Sequence, residues 1–183
     1  MVILRGFDVP TTIELCHQAW DAGIRLVEIP LQNEESERAL RAACAEAASN
    51  GLDVGAGTIV STELADRAAA AGAAFTVAPG TDRDVLASSV GLGLPHLPGV
   101  GTASEVQALD AIGIRWVKAF PADALGPAWV KGILGPFPSA RIVATGGIDG
   151  DNADAFLTAG AAAVSLGSSF AKLDRERLRT IGR

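Results

Sequence analysis

The stretch ARIVATGGIDGDNADAFLTAGAAAVSLG, residues 140–167, contains one complete copy of the unit from which the chain is built. It begins with a short apolar run, ARIVATGG, which is followed by the alanine-rich segment DNADAFLTAG and by a second apolar run, AAVSLG. Short apolar runs bounded by glycines are typical of buried strands, and an alanine-rich segment favours a helix. The stretch therefore predicts a strand, a helix and a second strand in a βαβ unit.

The same alternation recurs along the whole chain at spacings of about 20–28 residues, close to the length of a βα repeat. We predict eight strands, at VILR (2–5), RLVEIPL (25–31), LDVGAG (52–57), AFTVAPG (74–80), LPHLPG (94–99), IRWVKAF (114–120), ARIVATGG (140–147) and AAVSLG (162–167). Eight strand–helix units predict a compact α/β fold of the (β/α)8 TIM-barrel class, with residues 1–183 as a single domain. An open doubly wound sheet is the alternative, but the chain lacks its GxGxxG turn. The chain is short for a barrel, which usually has about 200 residues or more.

Helix boundaries are predicted from capping residues. In TTIE, Thr11 stands at a cap position with Glu14 three residues later, which predicts a capping box and a helix that starts near Thr11. TASE, residues 102–105, predicts a second capping box, and Asn50-Gly51 predicts a helix end. The other predicted helices cover residues 34–49, 61–71, 82–90 and 128–134, and a final helix opened by Ser168 and Ser169.

Composition limits the classes of function. The chain has 183 residues, 49% of them apolar, and a formal net charge of −6, which argues against general binding of nucleic acid but allows a local pocket for an anion. The first apolar run is too short for a signal peptide or a membrane span, so we expect a cytoplasmic protein with reduced Cys16 and Cys44. His17 and His96 have no second ligand at a metal-binding spacing, so we expect no metal and no cofactor.

A lysine lies within the predicted strand of RWVKAFPAD, residues 115–123, although the chain has only three lysines against twelve arginines. Its neighbours, Trp116, Val117, Ala119 and Phe120, are predicted to lie in the interior. Alternation along a barrel strand points Val117 and Ala119 to the helices and Lys118 to the barrel interior. A buried ammonium needs a partner or a function.

Glu28 takes the corresponding inward position in RLVEIPL, with Val27 and Ile29 facing the helices. Because a lone buried charge is costly, we expect Glu28 and Lys118 to share one polar site toward the C-terminal ends of their strands. A structural ion pair is one interpretation. The other is an amine nucleophile, whose pKa apolar neighbours lower so that it can form a Schiff base, with Glu28 as the carboxylate that moves protons.

The segments TGGI (145–148) and LGSSF (166–170) follow the seventh and eighth predicted strands. Barrels often bind phosphate with these two loops, through backbone N–H groups and a helix N-terminus. Two ordinary turns are the alternative. Thr58, at the end of GAGT, is predicted either to cap the strand or to bind a substrate carboxylate, and Arg5 closes the first strand at a position suited to an anion.

These residues resemble those of the 2-keto-3-deoxy-6-phosphogluconate (KDPG) aldolases, a family that includes the 4-hydroxy-2-oxoglutarate (KHG) aldolases and the phosphogalactonate aldolases. The matching motifs run in order along nearly the whole chain: ILRG, VEIPL, GAGT, APG, LPGVGTASE, VKAFPAD, LGPAWVKGILGPFP, TGGI and LGSSF. The resemblance implies a class I aldolase on a (β/α)8 barrel that needs no metal and is usually a trimer. It implies a phosphorylated 2-keto-3-deoxy sugar acid as substrate and pyruvate as product.

The resemblance also implies a role for each motif residue. Lys118 of VKAFPAD forms the Schiff base, and Glu28 of VEIPL is the proton shuttle. The remaining positions are implied to bind substrate: Thr58 at the pyruvyl carboxylate, Pro79, Phe120 and Thr145 in the same pocket, and Gly146, Gly147, Gly167 and Ser168 at the phosphate, with Arg5 assisting.

The chain departs from the family pattern in two places. Gln32 stands where some members carry an arginine that helps to bind the carboxylate, so more of that binding is expected to rest on Thr58. The chain also starts almost directly at the first strand, where members usually have an extra helix that covers the bottom of the barrel. The sugar epimer stays open, although Thr145 leans toward the gluconate type. A phosphosugar isomerase or synthase barrel without a covalent lysine, and a non-catalytic phosphosugar-binding barrel, are the alternative functions.

Overall fold

The computed structural model describes residues 1–173 and 175–181, in which short parallel strands alternate with helices. The strands are β1 (Val2–Ile3), β2 (Leu26–Pro30), β3 (Asp53–Gly57), β4 (Thr76–Val77), β5 (His96–Leu97), β6 (Gly99–Val100), β7 (Trp116–Ala119), β8 (Arg141–Thr145) and β9 (Ala163–Ser165). The helices are α1 (Val9–Asp21), α2 (Glu34–Ser49), α3 (Thr62–Ala70), α4 (Arg83–Gly91), α5 (Ala103–Asp110), α6 (Ala122–Leu134), α7 (Ala153–Thr158) and α8 (Arg175–Thr180), with a 3₁₀ helix at Phe170–Lys172.

The chain forms two compact units. The first contains Met1–Ala78 and Asp82–Leu97, and its strands form a parallel sheet in the order β1-β2-β3-β4-β5. The second contains Pro79–Thr81 and Pro98–Arg183, and its strands form a parallel sheet in the order β6-β7-β8-β9. Within each sheet the strands follow one another in sequential order with one helix between each neighbouring pair, which is the arrangement that repeated βαβ units produce. That both units make one domain stays a prediction.

The fifth predicted strand is divided into β5 and β6 at Pro98. Proline has no backbone N–H, so it cannot donate a hydrogen bond to a neighbouring strand. Its carbonyl oxygen still accepts one from Lys118 N, at 2.8 Å. Eight predicted strands therefore become nine short ones over the described residues.

Alanine lets the helices approach their neighbours closely. In α2 the residues Ala39, Ala43 and Ala47, at four-residue intervals, are each at most 1% exposed and form a stripe on one face of the helix. The helix begins at the cap Asn33, whose Oδ1 accepts from Ser36 N at 2.9 Å, and it ends before Gly51, which has a φ of 64°. Because this glycine adopts a left-handed conformation, the predicted helix end is confirmed.

Three predicted helix boundaries are wrong. Helix α1 begins at Val9, because Asp8 accepts a hydrogen bond from Thr11 N at 3.0 Å and caps the helix one turn earlier than TTIE predicts. Helix α6 begins at Ala122 and is interrupted at Gly126, where φ is 75° and ψ is 163°, so the predicted helix over 128–134 is only its second part. Ser168 and Ser169 open a three-residue 3₁₀ helix, and the last α-helix begins only at Arg175.

Trp116 is also placed differently from the prediction. It is the first residue of β7, its exposed fraction is 52%, and it contributes nothing to the buried core. Val117 and Ala119, each 1% exposed, are buried as predicted. Among residues 1–173 and 175–181, no helix has both the length and the apolar composition that a membrane crossing requires.

Candidate active site

Glu28 lies in the middle of β2 with an exposed fraction of 0%. The neighbouring strand makes room for its carboxylate, because a Cβ built on Gly57 lies only 1.9 Å from Glu28 Oε1 and 2.6 Å from its Cδ. No residue with a side chain could stand at position 57 without displacing this carboxylate. The second glycine of GAGT therefore leaves the space that the Glu28 carboxylate occupies.

Thr58 follows β3 directly and has a φ of 61°, which is rare for a β-branched residue. Such strained conformations are concentrated at binding and catalytic sites. Arg5 is exposed and lies two residues beyond the end of β1. The structure therefore brings the predicted residues Arg5, Glu28 and Thr58 onto three neighbouring strands or their C-terminal ends in the first unit.

Lys118 lies in β7 of the second unit and is 3% exposed. Its Nζ is 5.2 Å from the centroid of the Phe120 ring, within the range of a cation–π contact. In the neighbouring strand Gly99 pairs with Lys118, and a Cβ on Gly99 lies 2.2 Å from the carbonyl carbon and oxygen of Pro79. The predicted pocket residues Pro79 and Phe120 are thus close to the lysine or to its strand partner.

The TGGI segment forms a tight turn after β8. Gly146 and Gly147 have φ values of 96° and 69°, both in the left-handed region that favours glycine. A Cβ on Gly146 lies 3.2 Å from the Phe120 ring, and one on Gly147 lies 2.4 Å from the Asp123 carboxyl group. The turn therefore packs on the residues that follow the strand of Lys118.

The second predicted phosphate loop is tied to the first. Ser169 Oγ donates a hydrogen bond of 3.0 Å to the carbonyl oxygen of Ile148, the last residue of TGGI. Gly167 is partly exposed and Ser168 is exposed, so both are accessible to a ligand. The predicted helix N-terminus at this loop is wrong, because a 3₁₀ helix of three residues lacks the aligned peptide dipoles of a longer helix. The loop therefore offers backbone N–H groups and the serine hydroxyl as hydrogen-bond donors, without a helix dipole.

Sequence reasoning missed Asp123 as a neighbour of the predicted phosphate loop TGGI. Its backbone N–H donates a 3.0 Å hydrogen bond to Gly146 O, and its Oδ1 accepts from Ala124 N at 2.9 Å. The carboxylate therefore lies against Gly147, with its oxygen engaged by the first turn of α6. The acidic residue of VKAFPAD was visible in the sequence, but nothing in the sequence indicated its contact with the glycine turn.

The histidines and cysteines are not among the predicted site residues described above. His17 Nε2 is 3.1 Å from Glu46 Oε1 on the surface, whereas His96 Nδ1 is 2.8 Å from Thr76 Oγ1 and burial lowers the pKa of His96 to about 4. Cys16 and Cys44 are free and buried, and burial raises the pKa of their thiols to about 12 and about 11. Within the described part of the chain, no three His, Cys, Asp or Glu residues are grouped as metal ligands.

A family model described as KDPG and KHG aldolase matches residues 3–182 of this chain. The chain belongs to the KDPG and KHG aldolase family. Two curated members are similar to it. The 2-dehydro-3-deoxy-6-phosphogalactonate aldolase of Escherichia coli K12 is 31% identical over 98% of this chain and 88% of its own length. The 2-dehydro-3-deoxy-phosphogluconate aldolase of Treponema pallidum is 36% identical over 79% of this chain and 68% of its own length.

Solved structures that are similar to this chain share its fold. The KDPG aldolase of Legionella pneumophila, with pyruvate captured as a covalent carbinolamine intermediate, has a TM-score of 0.87 and 26% identity over 100% of this chain and 94% of its own. A cube-shaped protein cage, designed by fusing symmetric oligomeric domains, has a TM-score of 0.85 and 31% identity over 98% of this chain and 67% of its own. The predicted α/β TIM-barrel-like fold class and the predicted enzyme class, an aldolase, are therefore confirmed.

Proposed function

We propose that this aldolase cleaves 2-keto-3-deoxy-6-phosphogluconate, its galactonate epimer or 4-hydroxy-2-oxoglutarate by a class I mechanism, with pyruvate and an aldehyde as products. The observation that carries the proposal is Lys118, an amine buried in a strand beside a phenyl ring. The similar Legionella enzyme, in which pyruvate was captured as a carbinolamine, supports covalent chemistry of this kind in the family.

In the proposed mechanism the neutral amine of Lys118 attacks the C2 ketone, and the carbinolamine loses water to give an iminium ion. The C3–C4 bond then breaks. Its electron pair moves into the iminium, which becomes an enamine, while the C4 hydroxyl loses its proton and C4 becomes the aldehyde carbon. Protonation of the enamine at C3 and hydrolysis release pyruvate and the free amine. Glu28, the buried carboxylate of β2, relays these protons.

The remaining substrate contacts follow from the positions of the motif residues. Thr58 binds the pyruvyl carboxylate, and Pro79, Phe120 and Thr145 line the pocket. Gly146, Gly147, Gly167 and Ser168 hold the phosphate with the help of Arg5. The left-handed glycine turn and its hydrogen bond from the second loop support this assignment.

The proposed assembly is a cytoplasmic homotrimer. The family resemblance and the similarity to a cage component built from oligomeric domains support an oligomer, and the two free cysteines are compatible with a reducing compartment. Native mass spectrometry tests the assembly, for which three copies of the 18.6 kDa chain are expected.

The proposed nucleophile is tested by borohydride reduction in the presence of pyruvate, followed by peptide mass spectrometry. We expect a gain of about 72 Da on the Lys118 peptide, which corresponds to a reduced imine. Lys118→Ala should lose both the adduct and turnover, whereas Lys131→Ala, the matched control on α6, should keep both.

Absence of the adduct from folded wild-type protein would remove the Schiff-base mechanism. An isomerase or synthase barrel would then predict turnover of a phosphosugar without an imine. A phosphosugar-binding barrel would predict thermal stabilisation by the ligand without turnover.

A further inference from the structure

Ser165 is a buried hydroxyl to which neither the family resemblance nor the proposed function gives a role. It is the last residue of β9, its exposed fraction is 1%, and its Oγ has no hydrogen-bond partner among the residues that the structure describes. Nearly all buried side-chain polar atoms in proteins have a partner, and an unsatisfied one is destabilising. Such an atom at the C-terminal end of a strand in a barrel-like fold is suited to a ligand.

Strand register places Ser165 on the same face as Lys118. In β8, Val143 pairs with Lys118, and Thr145, two residues later, pairs with Ser165. Paired residues of parallel strands share a face, and residues two apart along a strand do so too. The face that carries the amine therefore also carries the Thr145 and Ser165 hydroxyls, on adjacent strands about 4.8 Å apart.

Thr145 is itself only weakly engaged. The residue is 2% exposed, and its hydroxyl donates one long hydrogen bond of 3.5 Å, to the carbonyl oxygen of Val143. At this distance a hydrogen bond is weak. Two neighbouring hydroxyl groups on the Lys118 face thus have most of their hydrogen-bonding capacity unused.

These hydroxyls lie between the amine and the two glycine loops. Thr145 directly precedes Gly146, and Ser165 precedes Gly167 by two residues. In the proposed function C2 of the substrate is bonded to Lys118 and the phosphate on C6 is bound by the loops. The substrate carbons that must pass Ser165 are therefore C4 and C5, which carry hydroxyl groups.

We propose that the Ser165 hydroxyl binds a hydroxyl group on C4 or C5 of the substrate and thereby contributes to recognition of the sugar chain. This inference rests on the proposed function. Ser165 is about as enclosed as the proposed nucleophile, with an exposed fraction of 1% against 3% for Lys118. A substrate that reaches the amine enters the same enclosed face.

Ser89 provides a matched control. It is also buried, with an exposed fraction of 0%, and its Oγ has no hydrogen-bond partner within the described residues. It lies in α4, however, rather than on a strand of the sheet that contains Lys118. A missing partner alone does not make a substrate site. The distinguishing feature of Ser165 is the face of the sheet on which it lies.

The test compares Ser165→Ala with Ser89→Ala in two reactions of the full-length enzyme. For cleavage of 2-keto-3-deoxy-6-phosphogluconate, Ser165→Ala should lower kcat/KM about 10-fold, because a hydroxyl-binding group is lost. Borohydride trapping with pyruvate should proceed at the wild-type rate, because pyruvate lacks C4 and C5. The melting temperature should be unchanged or higher, since an unsatisfied buried hydroxyl has been removed. Ser89→Ala should leave both reactions unchanged.

Unchanged cleavage by Ser165→Ala would overturn the inference, as would equal losses in cleavage and pyruvate trapping with a lower melting temperature, which indicate a structural role. The substrate 4-hydroxy-2-oxoglutarate has a C4 hydroxyl but no C5 hydroxyl. If Ser165→Ala lowers kcat/KM for both substrates, the contact is to the C4 hydroxyl. If it lowers kcat/KM only for 2-keto-3-deoxy-6-phosphogluconate, the contact is to the C5 hydroxyl. Absence of any adduct from the wild type would instead refute the proposed function.

Discussion

At the scale of single residues, the predicted site depends on glycines, which leave space for neighbouring groups because they have no side chain. Gly57 leaves space for the Glu28 carboxylate, and Gly99 leaves space for the Pro79 backbone beside the strand of Lys118. Gly57 thus limits where the Glu28 carboxylate can lie, and Gly99 limits how closely the Pro79 backbone can approach the strand next to Lys118. A substitution at such a glycine is a test of a neighbour's position that leaves the neighbour itself unaltered.

Gly57→Ala should therefore reduce cleavage although it removes no functional group. The new methyl group would lie 1.9 Å from Glu28 Oε1, and the buried carboxylate must move to relieve the overlap. We expect kcat to fall about 10-fold or more, because small displacements of a catalytic group are costly, together with a loss of about 1–3 kcal/mol in the free energy of unfolding. Gly91→Ala, whose Cβ meets nothing within 4 Å, is the control. Wild-type kcat in Gly57→Ala would show that the position of Glu28 is unimportant.

Glu28→Gln tests the carboxylate itself. The amide has nearly the same shape but cannot relay a proton, so turnover should fall by roughly 10²–10⁴. Lys118 remains, and the Lys118 peptide should still acquire a pyruvate adduct on prolonged incubation with borohydride. Steady-state rates and peptide masses measure the two effects separately. Turnover within a few-fold of wild type would exclude Glu28 from the mechanism.

At the scale of elements, helix caps hold the loops beside the strand ends. The capping box at α5 is complete: Thr102 Oγ1 accepts from Glu105 N at 3.3 Å, and Glu105 Oε2 accepts from Thr102 N and from Gly101 N, each at 2.9 Å. The hydrogen bond from Gly101 N, followed by those from Thr102, holds the pKa of Glu105 below its usual value. The charged carboxylate is thus part of the cap.

Thr102→Ala should lower the free energy of unfolding by about 1 kcal/mol, as expected for the loss of an N-cap side chain. Ser104→Ala, an exposed substitution in the first turn of the same helix, should change it by no more than about 0.5 kcal/mol. Urea denaturation of both variants measures the difference. Equal values for the two variants would contradict a stabilising role for this cap.

The sequence predicted those elements whose ends depend on local side chains. The caps at Asn33, Ser61, Asp82 and Thr102 are each a polar residue that accepts from the first turn of its own helix. The start of α1 was mispredicted because Asp8 and Thr11 both have side chains that can cap a helix. Pro10 favours a position in the first turn, and only a cap at Asp8 places it there. The break at Gly126 escaped prediction because a glycine-proline pair is compatible with a helix start as well as with an interruption.

At the scale of the whole molecule, alternation along a strand predicted that Lys118 faces the side opposite to Val117 and Ala119. That Thr145 and Ser165 share the face of Lys118 follows from the register of the parallel sheet in the structure. The exposure of Trp116 could not be predicted in this way, because it depends on what covers the start of β7 rather than on the residue's own hydropathy. Glu28 and Lys118 belong to the first and the second compact unit respectively, and their common site stays a prediction.

The stability of the whole molecule should depend on pH through His96. Its Nδ1 contacts Thr76 Oγ1, its buried Nε2 has no hydrogen-bond partner among the described residues, and burial lowers its pKa to about 4. In the unfolded chain the pKa of histidine is about 6.5. Below about pH 6.5 the unfolded chain therefore binds a proton that the folded chain does not, and the free energy of unfolding falls until about pH 4.

We expect His96 to contribute about 1–3 kcal/mol to this fall between about pH 6.5 and pH 4. Urea denaturation at several pH values should show a shallower fall for His96→Asn than for the wild type. His17→Gln, which alters the exposed histidine beside Glu46, is the control for the loss of a histidine as such. Parallel curves for the wild type and His96→Asn would mean that His96 takes up its proton in the folded protein as readily as in the unfolded chain, which would contradict a pKa lowered by burial.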